Sequence, residues 1–191
     1  MIKLTVPISE DDIRALKVGD EVSLSGTIVT ARDQAHKLMI EEKPDFIRED
    51  LMESVIYHCG PVVKQDEKGE WSFVSAGPTT SAREEPYQAD VVCEYTVRGV
   101  IGKGGMGAQT AAGLKKCGAV YFHAVGGAGT LIAHSVKRVK RVFKLEEFGT
   151  PEAFWVIEVE DLPLVVTMDT HGGSLHEEIL QKSTQIAKEI T

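Results

Sequence analysis

The stretch "CGAVYFHAVGGAGTLIAHSV" (Cys117–Val136) is the longest uncharged run of the chain and bears most directly on its fold. An apolar run of about 20 residues is long enough to cross a membrane as a helix. This run, however, contains four glycines and two histidines, and three of the glycines follow the apolar segment "GAVYFHAV" closely. That pattern is typical of a buried strand, a glycine turn and a helix, so the sequence predicts no membrane span.

Strand and helix patterns alternate on both sides of this run. The segment "VGDEVSLSGTIVTA" (Val18–Ala31) predicts a strand, and the Ala-rich "GAQTAAGLKKC" (Gly107–Cys117) predicts a helix. Two further strands are predicted by "AFWVIEVE" (Ala153–Glu160) and "LPLVVTMD" (Leu162–Asp169), and "SLHEEILQKSTQIAKEI" (Ser174–Ile190) predicts an amphipathic closing helix. This alternation, without internal repeats, predicts an α/β layered domain with a mixed sheet and flanking helices.

Proline and serine residues mark the predicted starts and breaks of the remaining helices. Ser9 is a candidate N-cap of a short helix, and a helical segment after residue 33 is expected to break near Pro44. Pro86 fits the first turn of another helix. Between these helices, "SVIYHCGPVVK" (Ser54–Lys64) and "WSFVSA" (Trp71–Ala76) predict two strands joined by a polar turn.

Length and cysteine usage limit the class of protein. A chain of 191 residues, 42% of them hydrophobic, fits one domain over residues 1–191, although a second small lobe is compatible with this length. Cys59, Cys93 and Cys117 form no CxxC or Cys/His cluster, so neither a zinc site nor a self-contained iron–sulfur site is predicted. This sparse, odd set favours a reducing cytoplasm, and the N-terminus lacks the apolar segment of a signal peptide.

Charge is distributed unevenly along the chain. The net charge is −8, yet Tyr95–Leu145 contains nine basic residues and no acidic one. The segment "VKRVKRVFK" (Val136–Lys144) is compatible with a solvated rim, an anion site or a surface for an acidic partner. No aromatic stacking surface accompanies the charge, so binding of nucleic acid is not predicted.

Two polar turns follow predicted strands, where α/β sheets place ligands. The first, "TARDQAH", carries Arg32 and Asp33; the alternative is an N-cap Asp33 beside a surface arginine. The second, "SAGPTTSAREEP" (Ser75–Pro86), collects the hydroxyls of residues 79–81 and a guanidinium that can bind a carboxylate or phosphate, Arg83. Its alternative is a turn capped by its own hydroxyl groups.

A glycine loop, "IGKGGMG" (Ile101–Gly107), matches the G-x-G-x-x-G pattern from Gly102 to Gly107. A dinucleotide site also expects an acid about twenty residues later, and none occurs before Glu146. The spacing does not fit a P-loop either. What remains is a loop that offers backbone N–H groups and Lys103 to an anion, or a purely structural turn.

Histidines in "MDTHGGSLHEE" are a weaker candidate. His171 and His176 are five residues apart, which does not suit two ligands on one helical face. Ser174 and Glu177 instead fit a capping box, and His171 remains a candidate acid–base group. From the residues alone, the cations on strand-to-helix turns indicate a small dicarboxylate or a phosphate as ligand, without defining a reaction.

Five motifs of this chain, taken in order, resemble those of the beta subunit of class I iron–sulfur hydro-lyases: "ARDQAH", "AGPTTSAR", "IGKGGMG", "GAVYFHAVGGAG" and "DTHGGSLH". This family includes class I fumarases and L(+)-tartrate dehydratases. The resemblance implies a swivelling β/β/α fold. It also implies a hetero-oligomer, whose alpha subunit holds a 4Fe–4S cluster, so that this chain binds no metal itself.

The resemblance also assigns roles to residues. It implies that Arg32, Arg83 and Lys103 bind a dicarboxylate substrate and that Thr79 is the catalytic base. Fumarate hydratase is the first expectation and L(+)-tartrate dehydratase the second, because these motifs do not separate them. Two other classes stay open: a non-catalytic anion-binding or regulatory module, and an enzyme that binds a nucleotide at the glycine loop.

Overall fold

A computed structural model describes residues 1–190, which form nine β-strands and eight α-helices. The strands are β1 Ile2–Thr5, β2 Glu21–Thr30, β3 Val55–Tyr57, β4 Val62–Gln65, β5 Trp71–Ser75, β6 Gly99–Gly102, β7 Val120–His123, β8 Val136–Phe143 and β9 Phe154–Met168. The α-helices are α1 Glu10–Ala15, α2 Asp33–Glu41, α3 Arg48–Leu51, α4 Glu85–Tyr95, α5 Ala108–Cys117, α6 Gly129–Ala133, α7 Leu145–Phe148 and α8 Leu175–Ile190.

Seven of the strands form one mixed sheet in the order β1-β2-β3-β6-β7-β9-β8, which confirms the predicted mixed α/β fold. Strands β2, β3, β6 and β7 run parallel, and β9 runs antiparallel to its neighbours. Because β9 pairs with both β7 and β2, the sheet closes on itself. The carboxyl ends of the four parallel strands therefore lie together at one edge.

Alternating side chains divide the core between the two faces of this sheet, as the twofold period of a strand requires. Inside the closed sheet lie Tyr57, Phe122 and Trp155, all fully or almost fully buried. On the outer face, Ile56 and Tyr121 pack under α2, α4 and α5. The outer helices thereby fix the strand-to-helix turns that leave the carboxyl edge.

Residues 154–168 form one strand, β9, so the prediction of two strands over 153–160 and 162–169 was wrong. Asp161 has a left-handed φ of 49°, and the register against β2 shifts between Leu24 and Gly26. The hydroxyl of Ser25 accepts a hydrogen bond from the N–H of Asp161 and so holds the bulge. Pairing continues on both sides of the bulge, so the charged residues 160 and 161 do not end the strand.

The segment 54–64, predicted as a strand, forms two strands with an irregular stretch between them. Strand β3 ends at Tyr57, and β4 begins at Val62 and pairs with β5 in a separate two-stranded sheet. Residues 58–61 thus leave the main sheet at its carboxyl edge. The predicted N-cap of Ser9 and the break at Pro44 are both confirmed.

Cations of the basic segment 136–144 are mostly neutralised by nearby carboxylates. The segment forms edge strand β8, where Lys137 is 3.4 Å from Glu160 and Arg138 is 2.6 Å from Glu158. Arg141 pairs with Asp50, and Lys144 with Glu147. This arrangement favours the solvated rim over an anion site.

Two further features concern the cysteines and the longest apolar run. A disulfide joins Cys93 of α4 to Cys117 of α5, while Cys59 is free and buried. The run Cys117–Val136 forms β7, a glycine turn and α6, as predicted. Within residues 1–190, helices long and apolar enough to span a membrane are absent.

Candidate active site

Polar residues gather where the parallel strands end. Arg32 follows β2, His58 follows β3, Lys103 follows β6, and His123 is the last residue of β7. Such an edge is where both open and closed sheets of parallel strands bind ligands, because the strand ends and the turns after them leave backbone and side-chain groups free to face a ligand.

Backbone hydrogen bonds place Thr79 between two of these strand ends. Its N–H donates to the carbonyl of His58 at 2.7 Å, and its carbonyl accepts from the N–H of Lys103 at 3.3 Å. The side chain of Thr79 is partly exposed. Neither Thr79 nor Thr80 uses its hydroxyl as a cap, and within residues 1–190 both hydroxyls lack a hydrogen-bond partner. The alternative of a self-capped turn is therefore not supported for these two residues.

The Arg32 side chain lies beside this turn. The Arg32 Nε is 3.3 Å from Oε1 of Glu152. The Arg32 Nη1 lies against Gly60, since a side-chain Cβ added to Gly60 would be only 2.6 Å from it. Gly60 adjoins Cys59, which forms a β-bridge with Pro78, the residue before Thr79. Arg32 is thus a half-buried residue of the edge. Arg32 itself occupies the N-cap position of α2, so the alternative of an Asp33 N-cap beside a surface arginine was wrong.

The glycine loop places Lys103 on the other side of Thr79. Thr80 and Lys103 form a parallel β-bridge, and the Lys103 side chain lies along the turn at Gly126, where a Cβ would be 3.7 Å from its Cδ. Gly104 and Gly105 have φ values of 84° and 76°, which side-chain-bearing residues rarely adopt. The loop reverses the chain immediately after Lys103.

Arg83 is the least constrained of the predicted residues. It ends the 3₁₀ turn Ser81–Arg83 and is exposed to solvent. Within residues 1–190 its guanidinium makes neither an ion pair nor a hydrogen bond. The structure therefore places Arg32, Thr79 and Lys103 on neighbouring turns of the carboxyl edge. Arg83 lies four residues beyond Thr79 and is free to bind an anion.

Ser81 departs from the prediction that residues 79–81 all offer hydroxyls to a ligand. It is fully buried, and its Oγ lies 2.8 Å from His58 Nδ1 and 2.8 Å from the Tyr121 hydroxyl. The set continues inward, with Gln88 Oε1 2.7 Å from His58 Nε2 and 3.0 Å from a ring nitrogen of His36. Ser81 thus holds the Thr79 turn to the core.

Burial keeps the histidines of this set neutral. It lowers the pKa of His36 to about 4, although hydrogen bonds to the Arg32 carbonyl and Gln88 oppose the shift. Burial, with the neighbouring His36, also lowers the pKa of His58 well below its usual value. Sequence patterns did not predict this buried set. The one local signal was His58, a polar residue directly after the fully buried strand β3.

Gly102 leaves no room for a side chain beneath the Thr79 turn. A Cβ there would overlap Ser81 Oγ and lie 2.9 Å from the Tyr121 hydroxyl. We expect Gly102→Ala to lower the free energy of unfolding by about 3 kcal/mol, as overpacking of a filled core does. Thermal or urea denaturation measures this. Gly126→Ala is the matched control, because its Cβ would make only an ordinary 3.7 Å contact; equal stability of the two variants would contradict the tight packing.

The histidine motif serves mainly to shape a turn. The carboxylate of Asp169 accepts hydrogen bonds from the N–H groups of His171 and Gly173, and Ser174 Oγ accepts from the N–H of Glu177 at 3.3 Å, so the predicted cap is confirmed. The exposed ring of His171 contacts the carbonyl of Arg14 at 3.0 Å. No hydrogen bond in residues 1–190 links His171 to Thr79.

A groove beyond the glycine loop is not lined by Arg32, Thr79 or Lys103. It runs between residues 104–108 and α8 and is mainly apolar. Within the described part of the chain, clusters of three His, Cys, Asp or Glu side chains that could hold a metal are absent. The polar edge carries cations and the Thr79 hydroxyl, which has no hydrogen-bond partner in residues 1–190.

Comparison with known proteins shows the family of this chain. Residues 1–179 match the sequence model of a family described as Fumarase C-terminus. The chain belongs to this family. A Geobacillus stearothermophilus protein named as a fumarate hydratase class I is 49% identical over 185 residues, which are 97% of this chain and 35% of that protein.

Other relatives of this Fumarase C-terminus chain have nearly its own length. A Methanocaldococcus jannaschii protein named as an L(+)-tartrate dehydratase subunit beta is 44% identical, over 92% of this chain and 91% of the relative. The L(+)-tartrate dehydratase subunit beta of Escherichia coli K12 is 40% identical, over 90% and 85%. All three relatives are thus named as hydro-lyases, and two of them as beta subunits.

Proposed function

We propose that this chain is the beta subunit of a two-subunit iron–sulfur hydro-lyase that interconverts fumarate and L-malate. The observation that carries the proposal is the polar edge, where the Thr79 hydroxyl lies on a turn between the ends of β3 and β6, with Arg32 and Lys103 on either side. The relative with 49% identity, named as a fumarate hydratase, supports this reaction.

Carboxylate binding falls to the cations of the edge. Arg32 and Arg83 can each form paired hydrogen bonds with a carboxylate, and Lys103 adds a third positive charge. Bound in this way, the substrate places the carbon that gains or loses a proton beside Thr79. Nearby positive charge stabilises an alkoxide, so the cations that bind the substrate also favour deprotonation of the Thr79 hydroxyl.

The 4Fe–4S cluster of the proposal would be held by the alpha subunit, because this chain does not fit it. Cys93 and Cys117 are joined to each other, and Cys59 is buried alone. Bound in the partner, the cluster would supply a Lewis acid for the hydroxyl group that leaves in dehydration. This chain contributes the carboxylate-binding cations and the proton acceptor.

The surface of α8 supports a partner subunit. Its residues Ile179, Leu180, Ile186 and Ile190 are between 56% and 80% exposed, although they form an apolar stripe. A contiguous apolar patch on a folded chain commonly marks an interface. The alpha subunit, lying over this stripe and the adjoining groove, would close the open polar edge.

L(+)-tartrate dehydratase is the second candidate, favoured by chain length. This chain covers 91% and 85% of two relatives named as tartrate dehydratase beta subunits, against 35% of the relative named as a fumarate hydratase. Both substrates are four-carbon dicarboxylates, so the same cations serve either one.

Activity assays of this chain co-purified with its alpha subunit distinguish the two candidate substrates. We expect the complex to convert fumarate to L-malate with a kcat/KM at least about tenfold above that for L(+)-tartrate, and this chain alone to convert neither. A preference for tartrate would select the second candidate. Turnover by this chain without a partner or metal would contradict the two-subunit proposal, and a complex inactive on both would leave the non-catalytic module.

A further inference from the structure

Each of the two predicted substrate arginines is followed directly by an acid. Asp33 follows Arg32, and Glu84 follows Arg83. Although the two pairs are some fifty residues apart in sequence, α2 and α4 bring them together: His36 and Gln88, about one helical turn beyond Asp33 and Glu84, are 3.0 Å apart. The carboxyl group of Asp33 is close enough to Glu84 to raise the Glu84 pKa. Glu84 is 0% exposed, so this contact lies in the interior beneath the polar edge.

These carboxyl groups lack other partners. Both side-chain oxygens of Glu84 and Oδ1 of Asp33 are buried and find no hydrogen-bond donor among the surrounding residues. Two ionised carboxylates in such contact would repel each other, and each buried oxygen would lose its hydration. One proton between the two groups removes the repulsion and turns the contact into a hydrogen bond.

The charged and titratable neighbours do not replace this proton. His58 Nδ1 is 4.0 Å from Glu84 Oε2, but it is hydrogen-bonded to Ser81, and burial lowers the pKa of His58 well below its usual value. Burial raises the pKa of Tyr121, so its hydroxyl stays neutral. The Arg32 guanidinium favours an ionised Glu84, but its Nε lies 3.3 Å from Glu152 Oε1, so Glu84 is not its only carboxylate neighbour. His36 faces Asp33, but burial lowers the pKa of His36 to about 4, so it stays neutral.

We propose that Asp33 and Glu84 share one proton and that this carboxyl pair is a positioning device, which sets the separation of the turns that carry Arg32 and Arg83. The role of the arginines rests on the proposed function; the shared proton does not. The pair lies one residue from each arginine, so its loss would move both guanidinium groups away from a bound dicarboxylate.

The pair makes the site sensitive to alkaline pH. Burial, together with the hydrogen bond to Asp33 and its charge, raises the pKa of Glu84 to about 8. The folded chain therefore keeps a proton that the unfolded chain releases near the usual pKa of Glu, about 4.3. The stability that the pair contributes is full below that lower value and is lost as the pH rises through about 8.

Infrared spectroscopy of this chain tests the shared proton without substrate or partner. We expect the carbonyl band of a protonated carboxyl group at neutral pH, titrating with a midpoint near pH 8. Glu84→Gln should lack the band, and Asp33→Asn should lower its midpoint because the neighbouring charge is gone. Asp90→Asn, an exposed acid on the same helix, is the matched control and should leave the band unchanged. A wild-type chain without the band, or a band that persists in Glu84→Gln, would overturn the proposal.

Kinetics of the complex test the positioning role. We expect KM to rise roughly tenfold between about pH 7 and 9 while kcat falls less, because misplaced arginines weaken carboxylate binding. Glu84→Gln should abolish this alkaline rise, since an amide donates to Asp33 at every pH. The same alkaline rise in the variant would overturn the positioning role. A complex inactive on every dicarboxylate would instead contradict the proposed function and leave the infrared result standing.

Discussion

Thr79→Val is expected to lower kcat of the assembled enzyme by about 10³-fold, within the range that a positioned general base supplies, while KM changes little. Valine keeps the shape of threonine and removes only the hydroxyl. In the structure that hydroxyl has no hydrogen-bond partner within residues 1–190, so the substitution leaves no buried group unsatisfied. The cations still hold the substrate. Steady-state kinetics and a thermal denaturation curve measure both parts of the expectation.

Thr80→Val is the internal control for this substitution. Thr80 is more exposed than Thr79 and also makes no side-chain cap. Exchange of solvent deuterium into the C–H position of the product should vanish in Thr79→Val and survive in Thr80→Val. If deuterium exchange instead survives in Thr79→Val and vanishes in Thr80→Val, the base is Thr80. If both retain exchange, the base is on another residue, such as His171 or a group of the partner subunit.

Arg83→Ala is expected to lower kcat/KM about 100-fold, roughly 3 kcal/mol, as loss of a charge-assisted contact to a carboxylate does. Because Arg83 is exposed and unpaired within residues 1–190, the melting temperature should stay within error. Arg138→Ala removes an exposed arginine of the edge strand β8 and serves as the matched control. Normal kinetics in Arg83→Ala would remove Arg83 from the site.

Much of the fold could be predicted from local patterns. The strand, turn and helix of Cys117–Val136 were predictable because glycines separate its apolar halves. The helix start at Ser9 and the break at Pro44 follow from capping and from proline geometry. The single long strand β9 could not be predicted. Its continuity depends on pairing with β2 around the bulge at Asp161, which is a tertiary contact.

The site was predictable only in part, for a similar reason. Arg32, Thr79 and Lys103 stand on turns after strands, a local signal. The contacts of Ser81 with His58 and Tyr121 join three separate segments, and strand order is needed to see them. The same holds for Asp33 and Glu84.

The closing helix shows a further limit of sequence patterns. Its apolar stripe was predicted correctly, yet Ile179, Leu180 and Ile186 are exposed in the folded chain. An amphipathic pattern indicates that a face is to be covered and does not indicate by which chain. In the proposed complex the covering chain is the alpha subunit.

The most direct test of the central claim is a titration of the purified alpha subunit with this chain, measured as turnover of fumarate. We predict negligible turnover by either chain alone and a rise to a plateau as the wild-type chain is added. The Thr79→Val chain should compete for the alpha subunit with the same affinity yet restore almost no turnover. Full turnover by the alpha subunit alone, or an equal plateau with the Thr79→Val chain, would contradict the account.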